Sequence, residues 1–381
     1  MQNEVFIVKV AKYLPNSPVD NDTMEKRLGL IGDKTSRVKD IILRQNKIKT
    51  RYYAVNESGE ITHTNAQLTA LAINRLFADK SEDIKAVEIL CCGTTTPDQL
   101  QPSHASMVHG ELSDAPTMEI MSGSGLCGAS SMALKYGYIS IKAGEAKKVI
   151  CTGSELFSPI LSAKNFKVEY EKMKEMTKNP LIAFEKDFLR FMLSDGAGAC
   201  LLSNTPNKNG ISLKIEWIES ISYANELKTC MYQGAEKDGN GDLISWKLLE
   251  EQEWLEKSIF SLKQDVKHLG KYVVAKGVDN ITKALKKHNL TSEKIDFFLP
   301  HISSMYFFEQ FKIALAEAGS PFSDAKWFVN LPEVGNIGAA SIYLMLEQLL
   351  SSNILKSGQK LLMFNPESGR FSYSTFLLTV V

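Results

Sequence analysis

Residues 121–151 read MSGSGLCGASSMALKYGYISIKAGEAKKVIC, which joins a turn of small residues to a helical stretch and then to a strand. Gly123, Gly125 and Gly128 surround Cys127, so the backbone can turn tightly there and approach a ligand or another part of the chain. A cysteine at a helix start faces unpaired N–H groups, which lower the pKa of its thiol and favour the nucleophilic thiolate. The stretch therefore predicts either a nucleophile at Cys127 or a buried cysteine in a tightly packed helix.

The rest of the chain alternates short β-branched runs with longer helical stretches. Strand candidates are residues 5–10, 85–93, 147–155 and 198–204 and, in the second half, KIEWIESISY, KIDFFLPH, KWFVNL, KLLMFN and STFLLTVV. EEQEWLEKSIFSLKQDVKHL, residues 250–269, is predicted to form a helix between them. This alternation predicts an α/β fold with sheets covered by helices. The polar segment TPNKNGI predicts a surface connection, so we expect two similar halves, residues 1–207 and 208–381.

Composition argues against several classes of function. The 381 residues are 44% hydrophobic, and 44 Lys and Arg balance 44 Asp and Glu. No net field therefore attracts nucleic acid or an anionic membrane. The chain starts without a signal-like pattern, and no segment reaches the ~20 apolar residues that span a bilayer. We expect a cytoplasmic protein without nucleic-acid or membrane partners.

Six cysteines form no CxxC pair and show no spacing with histidine that is typical of zinc; they lie at positions 91, 92, 127, 151, 200 and 230. We therefore predict no metal site. Free cysteine is most often a small buried hydrophobic residue, and we expect that role for every cysteine except Cys127.

Two polar residues lie at turns that precede apolar helices. His301 follows the strand KIDFFLP, where a helix should begin near Met305. Asn336 lies among small residues in VGNIGAAS, and its amide could donate to an oxyanion. The ordinary alternatives are a hydrogen-bonded structural histidine and an asparagine in a turn or cap. Because both turns repeat the arrangement at Cys127, we favour catalytic roles.

The sequence offers two further elements of a site. A backbone N–H of Gly369, in FNPESGRF, could complete an oxyanion hole with that of Cys127, although a plain hairpin turn is the favoured interpretation of this loop taken alone. The segment 164–192 mixes charge with apolar side chains that include Phe184, Phe188 and Met192. It predicts either a cap over an apolar substrate pocket or a helix that buries one face in the core.

Four motifs, in this order, resemble those of β-ketoacyl-ACP synthase III, a family of condensing enzymes in the thiolase superfamily: GSGLCGAS, SDGAGACLL, LPHISS and VGNIGAAS. The resemblance covers essentially the whole chain. It implies a duplicated thiolase fold with five αβαβα layers, a homodimer, acyl carrier protein and acyl thioesters as partners, and no cofactor. It also implies that Cys127 accepts an acyl group while His301 and Asn336 stabilise the charge that develops during carbon-carbon bond formation.

Three positions depart from the family pattern. The histidine motif reads HISS, residues 301–304, in place of HQAN. Ile41 replaces the tryptophan that stacks on the coenzyme A adenine in typical members, which argues against priming from acyl-CoA, so that acyl-CoA is only the second choice of acyl donor after acyl carrier protein. The triple glycine becomes SGR, residues 368–370, which keeps only its central glycine.

Within the family, LPNSPVDNDTMEKRLGL, ILRQNKIKTRYYA and THTNAQLTA resemble the ketosynthase-cyclases of dialkylresorcinol and isopropylstilbene biosynthesis. This resemblance implies that a carrier-bound 3-oxoacyl chain is joined to a second acyl thioester, and that aldol closure gives a cyclohexanedione or resorcinol precursor. Glu155, in CTGSELFSP, could then deprotonate a carbon between two carbonyls. A buried structural carboxylate, such as one at a dimer interface, is the competing interpretation.

Three other functions remain as alternatives. One is fatty-acid initiation by a β-ketoacyl-ACP synthase III. Another is a cysteine hydrolase, because papain-like proteases also carry Cys, His and Asn in that order, but the aromatic residues that flank their cysteine are missing here. The third is a catalytically silent partner subunit, which the altered residues Ser303, Ser304 and Arg370 leave open.

Overall fold

The computed structural model describes residues 3–33, 35–36, 38–176 and 188–381. Its strands are β1 (Phe6–Tyr13), β2 (Val19–Asp20), β3 (Thr50–Arg51), β4 (Ile89–Thr94), β5 (Glu119–Ser124), β6 (Lys148–Glu155), β7 (Gly196–Ser203), β8 (Leu213–Ser222), β9 (Met231–Tyr232), β10 (Ala235–Lys237), β11 (Leu243–Ser245), β12 (Lys263–Gln264), β13 (Phe297–Pro300), β14 (Lys360–Glu367) and β15 (Ser372–Val380). Its helices are α1 (Met24–Leu28), α2 (Lys39–Asn46), α3 (Asn65–Leu76), α4 (His104–Gly110), α5 (Ala129–Ala143), α6 (Lys167–Met176), α7 (Glu251–Glu256), α8 (Val266–Lys287), α9 (Phe308–Glu317), α10 (Leu331–Val334) and α11 (Ser341–Ser351).

Nine strands form one sheet in the order β13-β14-β15-β8-β1-β7-β6-β4-β5. In the first half, β4 is parallel to β5 and β6, whereas β7 is antiparallel to both its neighbours. The second half repeats this pattern: β13 is parallel to β14, and β15 is antiparallel to both its neighbours. A single parallel bridge from Phe298 to Trp327 stands where the counterpart of β5 would lie, so the strand expected at KWFVNL is reduced to one bridge.

Two helices, α5 and α11, lie between the two parts of the sheet that come from the first and the second half of the chain, which we call the half-sheets. Leu134 of α5 and Leu346 of α11 share one core cluster with Cys91 of β4 and Met363 of β14. Side chains alternate along a strand, so Leu90 and Leu362, which directly precede Cys91 and Met363, point to the outer face of each half-sheet, away from α5 and α11.

The outer layers cover those outer faces. Leu90 packs in a cluster with residues of α3, and Leu362 packs in a cluster with residues of α8. The layers therefore run α3 and α4, first half-sheet, α5 and α11, second half-sheet, α8 and α9. This arrangement confirms the predicted α/β, five-layered, duplicated fold.

Two glycines let the starts of α5 and α11 approach the central strands. A Cβ on Gly93 of β4 would lie 2.4 Å from the Ala129 carbonyl oxygen, and one on Gly153 of β6 would lie 2.1 Å from that of Ala339. Both contacts are with backbone, so no side chain larger than hydrogen fits at either position without displacing a turn. The close approach brings the starts of α5 and α11 to the same region of the molecule.

The structure corrects one predicted helix and leaves the predicted division of the chain into two halves untested. The helix predicted over residues 250–269 is wrong as a single element, because Ser258 takes a left-handed conformation (φ 44°) and β12 intervenes before α8. Residues 204–212 join β7 to β8 without a helix or strand, and the division into 1–207 and 208–381 stays a prediction. Among the described helices, none combines the length and apolarity needed to cross a bilayer.

Candidate active site

Cys127 lies in the short turn between the end of β5 at Ser124 and the start of α5 at Ala129. All six cysteines are in the described part of the chain, and Cys127 is the one among them that is not buried. The other five are therefore small core residues, as predicted. The position at a helix start, also predicted, leaves the residue partly exposed at the edge of the core.

Side chains from the second half hold this turn. The Asn365 Nδ2 group donates to the Cys127 carbonyl oxygen at 2.8 Å and to Ser131 Oγ at 2.8 Å. The Glu367 Oε2 atom accepts the Leu126 N–H at 3.2 Å. The sequence alone did not single out Asn365 or Glu367, although two polar residues at the end of an apolar strand, just before the altered SGR motif, could have indicated them.

Asn336 is oriented by its own turn. Its Oδ1 atom accepts the Gly338 N–H at 3.0 Å, and its backbone N–H donates to the Met192 carbonyl oxygen at 2.9 Å. Because Oδ1 is engaged, the Nδ2 hydrogens are the part of the amide that remains to donate to a substrate.

Cys127 and Asn336 line one open cavity with about 380 Å³ of empty space. Phe157, Leu189 and Met192 contribute apolar wall, which suits an acyl chain. Of the predicted pocket residues, Met192 is thus at the cavity. Phe188 instead packs beside it in a hydrophobic cluster, and Phe184 lies outside the described residues.

His301 borders a neighbouring cavity of about 220 Å³. Gly335 lines this second cavity, whereas Ser303 and Asn336 line the first, so the two cavities lie on either side of the same loops. Burial lowers the pKa of His301 to about 4, which leaves the ring neutral at physiological pH. Its Nε2 atom has no hydrogen-bond partner among the described residues. The three predicted catalytic residues are therefore divided between two adjoining cavities.

Glu155, at the end of β6, is fully buried. Its carboxylate accepts hydrogen bonds from Thr95 Oγ1 at 2.6 Å, Thr96 Oγ1 at 2.9 Å and the Ala339 N–H at 2.9 Å. Burial raises the pKa of this carboxyl group to about 7, against the lowering effect of these hydrogen bonds. Glu155 therefore ties Thr95, which lines the first cavity, to the turn that carries Asn336.

The thiol of Cys127 is less acidic than the sequence predicts. Burial raises its pKa, and the negative charges of Glu155 and Glu367 raise it further. The predicted lowering by the helix start is therefore wrong for the free protein, because desolvation and two carboxylates outweigh the helix dipole. The raised pKa favours the thiol form of Cys127 over the thiolate in the free protein.

Gly369 lies close to the nucleophile turn. A Cβ at this position would be 2.9 Å from Leu126 Cδ1, and the neighbouring Ser368 lines the first cavity. The Gly369 carbonyl oxygen accepts the N–H groups of Cys230 and Met231 at 2.8 and 3.2 Å, which fixes the loop. Its proposed share in an oxyanion hole stays a prediction.

Known proteins resemble this chain in sequence. Residues 285–377 match the family described as 3-oxoacyl-[acyl-carrier-protein (ACP)] synthase III C terminal. The chain is 27% identical over 369 residues to a β-ketoacyl-[acyl-carrier-protein] synthase III of Aliarcobacter butzleri (strain RM4018), covering 97% of this chain and 95% of the relative. It is also 27% identical over 378 residues to the protein of that name from Campylobacter fetus subsp. fetus (strain 82-40), covering 98% and 97%.

Solved structures share the fold. The 3-oxoacyl-[acyl-carrier-protein] synthase III from Aquifex aeolicus VF5 matches with a TM-score of 0.70 and 20% identity, over 98% of this chain and 99% of the other. The tetronic acid condensing enzyme AbyA1 matches with a TM-score of 0.76 and 21% identity, over 98% and 99%. Taken together, these likenesses show that the chain has the fold of the β-ketoacyl-ACP synthase III structures and that its sequence resembles that family of condensing enzymes.

Proposed function

We propose that this enzyme loads an acyl group from a thioester onto Cys127 and joins it to a second acyl thioester on acyl carrier protein. The observation that carries the proposal is the cavity shared by an accessible cysteine and an oriented amide, Cys127 and Asn336. The relatives support the carrier, since their names specify acyl carrier protein.

In the loading step the Cys127 sulfur attacks the thioester carbonyl and the carrier thiol leaves with the proton of the cysteine. The wall of Phe157, Leu189 and Met192 holds the transferred chain away from water. In the second step the α-carbon of the other thioester gives up a proton, or CO2 when it belongs to a malonyl group, and attacks the Cys127-bound carbonyl. The bond between the carbonyl carbon and the Cys127 sulfur breaks, and the sulfur takes up a proton to become a thiol again. The Asn336 Nδ2 group donates to the developing negative charge from the first cavity. For the neutral His301 ring to donate beside it, its unpaired Nε2 atom must reach the substrate across the loops that separate the two cavities.

Mass spectrometry tests the loading step. Incubation with acyl thioesters of several chain lengths, on carrier protein and on coenzyme A, should add one acyl mass to the Cys127 peptide. Cys127→Ala should abolish the adduct, whereas Cys230→Ala, at a buried cysteine of the second half, should retain it. The proposal is contradicted if Cys127 stays unmodified with every acyl donor. If Cys127→Ala still supports the full activity of a complex with a related synthase, the chain is instead a silent partner subunit.

Ring closure is a second candidate, and Glu155 favours it. A carboxyl group with a pKa of about 7, close enough to influence the Cys127 thiol, is matched to proton transfer at neutral pH. With a 3-oxoacyl carrier protein and a second acyl thioester, the ring-closing enzyme should give a cyclohexanedione-type product. The variant Glu155→Gln should still form the linear condensation product but should not close the ring. Linear 3-oxoacyl products alone, with malonyl carrier protein as extender, favour fatty-acid initiation.

A homodimer fits the exposed face beside the nucleophile helix. β5 is the end strand of the described sheet, and Ile120 on it is exposed, as are Met132 and Ile139 on α5. An apolar sheet edge is a template for pairing with a second copy of the chain. Sedimentation velocity should show a dimer that Ile139→Asp dissociates and Ile313→Asp, at an exposed position of α9, leaves intact; a monomeric native protein contradicts this assembly.

A further inference from the structure

Glu155 and Glu367 occupy equivalent positions in the two halves. Glu155 is the last residue of β6 and Glu367 is the last residue of β14. In each half this strand lies between a parallel and an antiparallel neighbour, in the same place of the repeated order. The duplication therefore places two buried or partly buried carboxylates at matching strand ends.

Each carboxylate reaches the turn of the opposite half. Glu155 of the first half accepts the Ala339 N–H at 2.9 Å, in the turn that precedes α11. Glu367 of the second half accepts the Leu126 N–H at 3.2 Å and also the Gly128 N–H, in the turn that precedes α5. These contacts are reciprocal: each ties a strand end of one half to the turn of the other half that carries a proposed catalytic residue.

The glycines of the turns leave space for these carboxylates. A Cβ on Gly338 would be 2.6 Å from Glu155 Oε1, and a Cβ on Gly128 would be 2.6 Å from Glu367 Oε2. Neither contact is possible for real side chains without displacing the carboxyl group. The small residues around Cys127 and Asn336 thus leave space for a carboxylate on the side of each turn that faces the opposite half, as well as for a substrate on the side that faces the cavity.

We propose that Glu367 is a positioning residue that clamps the nucleophile turn to the second half and keeps a negative charge behind Cys127, so that the free enzyme holds an unreactive thiol. This role goes beyond the proposed condensation and does not depend on which acyl chain is used.

The charged groups around the sulfur decide what Glu367 can do. Glu155 approaches from β6 and Glu367 from β14, and both oppose ionisation of the Cys127 thiol. His301, on the loop after β13, is neutral and offers no compensating positive charge. Removing one of the two negative charges should therefore increase the thiolate fraction at a given pH.

Alkylation by iodoacetamide at pH 8, followed by mass spectrometry of the Cys127 peptide, measures that fraction. Glu367→Gln keeps the shape and an acceptor oxygen but removes the charge, and we expect Cys127 to react about tenfold faster, equal to about one pH unit. Glu367→Asp keeps the charge on a shorter side chain, so its alkylation rate should stay near that of the native enzyme while acyl loading slows. Glu57→Gln, at an exposed carboxylate, is the matched control and should change neither rate.

Gly128→Ala perturbs the same clamp from the opposite side, because its methyl group displaces the Glu367 carboxylate; it should also speed alkylation. Thermal unfolding checks that each variant is folded, and Gly128→Ala carries the test if Glu367→Gln does not fold. An unchanged alkylation rate in folded Glu367→Gln overturns the proposed charge effect. Equal acceleration in Glu367→Asp and Glu367→Gln also overturns it, since that result would reflect access to the sulfur.

Discussion

The turn at Cys127 and the turn at Asn336 are the two versions of one structural element. Each is rich in small residues and leads into a central helix, α5 or α11; the first follows β5 and the second follows the short helix α10. The residues Gly125, Leu126 and Cys127 remain partly exposed, whereas all of residues 335–340 are buried. The first turn is thus open to a substrate, and the second is a rigid support for one amide.

The backbone reflects this difference. Gly128 caps α5 with an ordinary φ of −67°, but Gly335 and Gly338 adopt φ values of 73° and 43° before a turn of 3-10 helix. Glycine adopts such φ values without the steric cost that other residues meet, so these two glycines allow the sharper bend of the second turn. Duplication therefore supplied two equivalent positions: the one that carries the proposed nucleophile is partly exposed, and the one that carries the proposed amide donor is buried.

The largest expected effect comes from removing the donor of the buried turn. Asn336→Ala should reduce condensation about 100- to 1000-fold, the usual loss for one oxyanion donor, while acyl loading of Cys127 changes little. Single-turnover kinetics with preloaded enzyme separate the two steps. Ser303→Ala, at another residue of the same cavity, is the control and should lose less than about tenfold. Equal losses of loading and condensation would show that both turns serve the first step.

A smaller effect is expected from distorting that turn. Gly338→Ala combines a left-handed conformation with a contact to the buried Glu155 carboxylate, and should lower the free energy of unfolding by about 3 kcal/mol. Gly59→Ala shares the positive φ but has open space around it, so it should cost about 1 kcal/mol. Urea denaturation measures both. Equal costs would mean that the contact with Glu155 contributes nothing to stability.

The smallest effect concerns the pH dependence of the buried carboxyl group. Burial raises the pKa of Glu155 from 4.5 to about 7, so between these values the folded protein binds more protons than the unfolded chain. The free energy of unfolding should therefore fall as the pH rises from about 5 to about 7.5, by about 2 kcal/mol more than in Glu155→Gln. Urea titrations at both pH values check this difference, and parallel pH profiles would contradict the raised pKa.

The sequence was sufficient for the features that depend on local pattern. Strand candidates 85–93 and 147–155 correspond to β4 and β6, and the small-residue stretch places Cys127 just before a helix. Small residues and alternating apolar runs encode these elements directly. The five-layer arrangement was accessible only through the resemblance to a known family.

Features that depend on distant contacts could not be predicted. Glu367 reaches Leu126 across 241 positions of the chain, and no local pattern reports such a pairing. The acidity of Cys127 depends on its burial and on carboxylates from two different strands, so the helix start alone gave the wrong sign. The separation of His301 from the first cavity depends on how two loops pack.

The most direct test of carbon-carbon bond formation at the paired turns is a single-turnover chase. Enzyme carrying a ¹³C-labelled acyl group on Cys127 is mixed with a second acyl thioester on carrier protein, and the labelled product is analysed by mass spectrometry. We predict that the label appears joined by a new carbon-carbon bond to the second acyl chain. Release of the label only as a free carboxylic acid would contradict this and indicate a hydrolase.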